Sequence, residues 1–157
     1  MVADTQSVVF NFDRVYIKDA SFESPRCPEV FADSNYEPKV DVQLQISHQC
    51  LDTEVGQYEV IINVTITATS NKKTAFLVEL QQAGVFTIRG FEPKQHERAL
   101  EAAAPNALFP FLRENINRFV TEGGFPSLLL QPVNFEAMYE QKQNSETDSL
   151  GDNIVSH

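Results

Sequence analysis

The sequence has no tryptophan, only two cysteines, no run of 18 apolar residues and few basic side chains. Each shortage excludes something. Without a long apolar run, no helix is expected to span a bilayer and no direct membrane insertion is expected. Residues 1–7 carry an acid and no base before a short apolar run, so this start does not read as a secretory signal. Cys27 and Cys50 lie far apart and form no C-x-x-C pair, which reads as reduced thiols in a cytoplasm. Twelve Lys and Arg against 22 Asp and Glu leave a formal charge of −10. Nucleic-acid recognition runs on a basic surface, so that partner class is excluded, and an anionic membrane is disfavoured. The acidity suits a basic protein partner, and solubility alone explains it equally well.

Reactive chemistry is scarce too. His48, His96 and His157 stand apart with neither H-x-x-x-H nor H-x-H spacing, so no metal site is expected. No nucleophile elbow, P-loop or G-x-G-x-x-G pattern occurs, so neither a cofactor nor an enzyme activity is expected. The acids are scattered, and only a fold could gather them into a working pair. Asn63-Val64-Thr65 matches a glycosylation sequon but falls inside a strand pattern, and we discount it.

What is present is apolar surface. At 157 residues and 42% hydrophobic content, the chain is long enough for one domain with a substantial core. We place that domain at 1–143. The remainder, 144–157, is polar without periodicity and reads as a mobile tail. Strand patterns are clear. Val8, Phe10 and Phe12 alternate, then Val15 and Ile17 continue in the opposite phase, which predicts a β-bulge near Asp13-Arg14. Val40, Val42, Leu44 and Ile46 alternate against Asp41, Gln43 and Gln45. Residues 58–68 alternate again, and Ser70 to Lys73 is a hairpin turn. Residues 74–89 form a long strand that is apolar on both faces. Between the first two strands, residues 19–39 contain Pro25, Pro28 and Pro38 and read as a crossover that packs its aromatics on the body.

The C-terminal third predicts helices. Residues 94–104 carry helix formers and stop at Pro105, while Pro110 either starts or kinks the next helix. Leu108, Leu112, Ile116 and Phe119/Val120 recur on one helical face. Gly123-Gly124 stops that helix. A greasy stretch, FPSLLL, follows, and then Asn134 caps a last helix, with Val133 and Met138 placed to staple across it. The fold class is therefore α+β: a four-stranded antiparallel sheet followed by helices packed on it. Helices cover one face of the long strand. A partner subunit is the economical cover for the other.

Phe31, Tyr36, Phe125, Phe135, Met138 and Tyr139 can line one apolar groove, with Val40, Val42, Leu44, Tyr58 and Leu129 completing the set. Any one of them taken singly suits a core position better. The long crossover and the leucine loop favour the groove.

Four segments together resemble the protein-export chaperone family SecB. They are RVYIKDASFESP from Arg14, EPKV from Glu37, TAFLVELQQAGVFTIRG from Thr74, and APNALFPFLRE from Ala104, which runs on through GGFPSLLLQPVNFEAMY to Tyr139. The resemblance covers residues 8–142 in the family's order and spacing. It implies a homotetramer, a dimer of dimers, that binds unfolded preproteins in the bacterial cytoplasm and delivers them to the SecA motor. It implies SecA docking at Asp19, Glu23, Leu77 and Glu79, and subunit-interface positions at Val78, Leu80 and Gln82. One parity of the long strand would then meet a partner subunit, and the other would face a client. Tyr36 stands where members often carry Trp, with a one-residue difference in spacing before it. Val78 stands where some have Cys. The residues alone leave two other readings open: a small-ligand or lipid-binding module using the same groove, and an enzyme whose acids converge in the fold.

Overall fold

Four stretches of alternating apolar and polar residues become the strands β1 (Val9–Glu23), β2 (Lys39–Asp52), β3 (Gln57–Ser70) and β4 (Lys73–Arg89). The computed structural model describes residues 7–155, with side chains as far as residue 147. The strands form one antiparallel sheet in the order β1-β4-β3-β2. Thus β1 and β2 occupy opposite edges, and residues 24–38 connect one edge to the other. That connection contains a short 3-10 turn, Glu29–Ala32, pinned by buried Val30. The β3–β4 hairpin turns at Asn71 and Lys72, both at positive φ (54° and 64°). Consecutive left-handed residues match the twist of paired strands.

Bulges keep β1 amphipathic. The register slips between Phe12 and Arg14, so Val15 and Ile17 return to the face already occupied by Phe10 and Phe12. That is the expected bulge. A second slip between Ile17 and Asp19 brings Ala20 and Phe22 to the same face and extends β1 to Glu23, beyond the expected end at Lys18. Pro25 is where strand pairing stops, because proline has no N–H to donate.

One long helical run, residues 93–122, lies against the sheet. It comprises α1 (Pro93–Arg98), a π-helical turn (Ala99–Ala103) and α2 (Ala104–Glu122). The expected break at Pro105 does not occur. The π turn widens the hydrogen-bond ladder just before the proline, and Ala104 N–H donates to Ala99 O there. A local i→i+5 turn of this kind accommodates a residue that cannot donate and whose ring needs room. Pro110 is interior to α2, with both it and Asn106 exposed, so the carbonyl deprived of its donor lies on the wet side. Leu108, Leu112, Ile116 and Val120 are fully buried, as their spacing requires. Gly84 lets α2 settle on β4: a Cβ there would stand 2.8 Å from Leu108 Cδ2 and 2.9 Å from the Phe12 ring.

Helix α2 ends at Glu122, and Gly124 adopts φ +92° just beyond it. The final helix, α3 (Phe135–Val155), is capped by Asn134, whose Oδ1 accepts the Ala137 N–H at 3.0 Å. Val133 and Met138 both pack against the core. The segment from residue 144 to 155, assigned by its polarity to a tail, continues α3 as helix. Residues 144–147 are exposed, so this stretch needs no apolar stripe, and the hydroxyls of Ser145 and Thr147 bond back to the carbonyls of Lys142 and Gln143. Among the described residues no helix is long and apolar enough to cross a membrane.

The register divides the sheet into two faces. Val60, Ile62, Val64, Ile66 and Ala68 of β3 and Phe76, Val78, Leu80, Phe86 and Ile88 of β4 are buried on the face that carries α2. The opposite, outer face takes the other parity, including Leu77, Glu79 and Gln81, and nothing in the described chain packs over it as a layer. This corrects the expected split of β4. Val78, Leu80 and Gln82 lie at 0–2% exposure within the chain's own core, so they present no surface to a partner subunit. Gln82 instead ties two elements together: it accepts from Asn115 of α2 at 2.8 Å and donates to the Tyr16 carbonyl of β1 at 3.2 Å.

Candidate functional site

Two surfaces stand out, one apolar and one acidic, on opposite faces of the sheet. The apolar one begins at an aromatic cluster. Phe125, just past the glycine stop, is surrounded by the rings of Phe76 (5.0 Å), Phe31 (5.4 Å), Tyr36 (5.8 Å) and Phe22 (6.3 Å). The glycines make this possible: a Cβ on Gly124 would stand 3.0 Å from the Phe31 ring, and one on Gly123 would overlap Phe22. Phe125 is buried, yet Phe31 remains 52% exposed at the outer end of the cluster. Tyr36 is half-buried, and desolvation raises its phenol pKa.

The edge strand β2 extends the apolar surface on the helix side of the sheet. Val40 pairs with Ala68, Val42 with Ile66, Leu44 with Val64 and Ile46 with Ile62, so all four share the face whose β3 members are buried. Val40 and Val42 are exposed, because α2 packs mainly over β4 and β3 rather than over this edge. Leu44 and Ile46 are half-buried, and Ile46 opens onto a small cleft shared with Glu101, Met138, Tyr139 and Lys142. The leucine loop contributes one outward residue. Leu130 is buried, the Leu128 N–H donates to Asn117 Oδ1 at 3.0 Å, and Leu129 between them is 67% exposed.

Thus Phe31, Val40, Val42 and Leu129 are open, while Tyr36, Leu44, Tyr58 and Met138 are half-covered. Tyr58 stands away from the aromatic cluster, paired edge-on with His96 and hydrogen-bonded to it at 3.0 Å. Phe125, Phe135 and Tyr139 are corrections: expected to line an open groove, all three are buried. Phe135 is buried against Phe109, and Tyr139 is buried beneath the Arg98 guanidinium. The wheel position of a capped helix start was legible, but its direction, into the core, was not. Phe22 and Ile46 belong to the apolar surface and were missed as site residues. Ile46 completes the β2 alternation, so the signal was there.

The outer face carries the acidic surface. Ser21 pairs with Glu79, Asp19 with Gln81 and Glu23 with Leu77, so Asp19, Glu23, Leu77 and Glu79 lie on adjacent rows of β1 and β4. Asp19 and Glu79 share a shallow cleft with Asn63, Thr65 and Gln81. Further along this face is Glu59 of β3, 6% exposed. Its carboxylate accepts from Lys18 Nζ at 2.8 Å, from Gln49 Nε2 at 2.9 Å and from the Tyr16 hydroxyl. Burial alone would raise the Glu59 pKa. The three donors and the Lys18 charge outweigh it and leave the carboxyl below its ordinary value. Tyr16 is pushed up to about 12 by its own burial, then by the bond to Glu59 and that residue's charge.

Comparison with known proteins gives these surfaces a context. The sequence pattern of the family described as preprotein translocase subunit SecB matches residues 3–146. The chain belongs to the SecB family. A protein-export protein SecB from Halorhodospira halophila is 44% identical over 155 residues, covering 98% of this chain and 88% of the relative. The SecB of Alcanivorax borkumensis is 44% identical, covering 92% of each chain. Among solved structures, a Mycobacterium tuberculosis SecB-like chaperone in complex with an antitoxin peptide aligns with TM-score 0.66. Its identity is 13%, and the alignment covers 79% of this chain and 90% of that one, a likeness of fold. The protein is thus a chaperone of protein export. The chain thus presents an apolar strip beside an edge strand and a separate acidic face on the other side of the sheet.

Proposed function

We propose that this SecB-family chain works without catalysis in the bacterial cytoplasm, as a homotetramer built as a dimer of dimers. It holds unfolded preproteins along the Phe31–Val40–Val42–Leu129 strip and passes them to SecA, which docks on the acidic outer face. The observation that carries this reading is the strip itself, an uncovered apolar row on an edge strand that ends in an aromatic cluster. The second copy fits Phe10, Phe12, Val15 and Ile17 of β1 and Phe111 of α2, which stay exposed on the helix side of the single chain. Val78, Leu80 and Gln82 act on that assembly indirectly, by holding α2 and β1 in place.

Energetics bound the mechanism. Micromolar holding corresponds to about −8 kcal/mol. At about 25 cal/mol per Å², that needs roughly 320 Å² of apolar burial before any ordering cost. Ordering an unfolded client costs several kcal/mol more, so one segment on one strip binds weakly. Several segments of one client, each on a different strip of the assembly, gain by effective concentration. Handover then needs a partner that competes or pulls.

The direct test is suppression of aggregation of an unfolded preprotein, followed by release when SecA is added. Leu129→Asp places a charge on an exposed apolar contact that supports no core packing. It is expected to weaken client binding on the order of tenfold while thermal stability stays within about 0.5 kcal/mol. Calorimetric titration with an unfolded client reads the first effect and thermal unfolding the second. Undiminished affinity would take the loop out of the client surface. Glu79→Lys reverses a charge on the other face. It is expected to weaken SecA binding on the order of tenfold at low salt and to leave client binding intact. Parallel loss of both activities would mean that the docking face is elsewhere.

A further inference from the structure

The outer face carries a cation that ought to weaken it as a docking surface. Lys18 is the extra residue of the second β1 bulge, between Ile17 and Asp19. In an unbroken strand, Lys18 and Asp19 would point to opposite faces. The bulge brings Lys18 to the outer face beside Asp19, one row from Glu79. Left free, its ammonium would pair with either acid and cancel part of the charge that a basic partner reads. It is not free. It reaches across β4 to Glu59, where Ala83 and Val85 leave low ground between the strands. Glu59 is held by the Tyr16 hydroxyl on one oxygen and by Gln49 together with Lys18 on the other.

We propose that Glu59 is a positioning residue for the docking face: it holds Lys18 away from Asp19 and Glu79, so that the patch stays anionic toward a basic partner segment. The inference rests on the docking reading above and adds to it a residue outside the patch. A carboxylate at 6% exposure contacts no incoming protein directly. Its effect is exerted through the lysine it holds. A charge-bearing side chain has several free rotors, and only a fixed partner restricts where its charge is felt. Binding Lys18 at a buried carboxylate also makes the arrangement less sensitive to salt than a surface pair.

The test is a double-mutant cycle read by titration of the intact protein with SecA at low ionic strength. Glu59→Gln keeps the shape and the Gln49 contact but releases the ammonium. It is expected to weaken docking on the order of fivefold. Lys18→Met removes the cation and keeps the apolar stem. It is expected to leave docking unchanged or tighter. The double variant is expected to return to the Lys18→Met value, because with no lysine there is nothing for Glu59 to hold. A purely structural role for Glu59 predicts the opposite, a double variant at least as weak as Glu59→Gln, and that result overturns the proposal. So does undiminished docking by Glu59→Gln. Glu79→Lys, run in the same assay, separates the two levels. If it weakens docking and Glu59→Gln does not, the proposal alone fails. If Glu79→Lys has no effect, the docking face itself is misplaced and the proposal falls with it. Client binding by all variants is expected to match the parent.

Discussion

Ile17→Asp is expected to break the proposed assembly, leaving a folded species of lower mass in native mass measurement at concentrations where the parent protein is expected to be tetrameric. Ile17 is 44% exposed in the single chain, so its loss costs the monomer little. In the proposed assembly it continues the β1 row of Phe10, Phe12 and Val15, beside Phe111 of α2. Burying one such side chain fully is worth about 1.5–3 kcal/mol, and placing an unpaired carboxylate in the seam costs several kcal/mol more. An isologous interface contains the substitution twice, so the penalty counts twice for each pair of subunits. Circular dichroism and thermal unfolding check that the variant still folds. Undisturbed mass, with native spectra, would show that the β1 row is not where copies meet. A loss of assembly should also weaken client holding strongly, because several strips would no longer act on one client.

Phe125→Ala is expected to have the largest effect on stability, about 3–5 kcal/mol, the usual cost of removing a buried ring. Among the described residues, Phe125 alone touches four other rings, two from β1 and β4 and two from the connection between the sheet edges. Its removal leaves Phe31 and Tyr36 without a surface to lie on, so client binding should fall together with melting temperature. Phe125→Leu, which refills much of the volume, is expected to recover more than half of the stability. Thermal unfolding of the three proteins decides the matter. A Phe125→Ala protein as stable as the parent would mean that the cluster is not a packed unit.

The strands and their faces were legible because period-two alternation survives in Val40 to Ile46 and in Tyr58 to Ala68. The first bulge was legible because the phase visibly slips at Asp13-Arg14. The second was hidden: Lys18, Asp19 and Ala20 carry no apolar contrast, so the slip leaves no mark. Pro105 misled for a physical reason. The rule that proline ends a helix assumes an α-type ladder, and the π turn at Ala99–Ala103 changes the ladder immediately before it. The positions proposed for docking came from likeness alone; their adjacency emerges only when β1 pairs with β4. The site erred in the same direction twice. Phe125, Phe135 and Tyr139 were assigned to an open surface and are core, and Val78, Leu80 and Gln82 were assigned to an interface and are core as well. Residue type and parity tell which side chains share a face. They do not tell which face another part of the same chain will cover.

The strand order has a consequence for how the chain comes to be folded. Strands β2, β3 and β4 follow one another as hairpins and can pair as soon as each is made. The first strand cannot, because its partner is β4, and its pairings join Glu23 to Leu77 and Val9 to Arg89. Closing so long a loop brings an entropic cost before any contact rewards it, which favours a late step. Of the four strands, the first to leave the ribosome therefore docks last. It is also the segment that brings the row of Phe10, Phe12, Val15 and Ile17. Until β4 and α2 are both made, a new copy cannot display the composite surface of β1 and α2, so in the proposed assembly unfinished chains would be kept from joining finished ones.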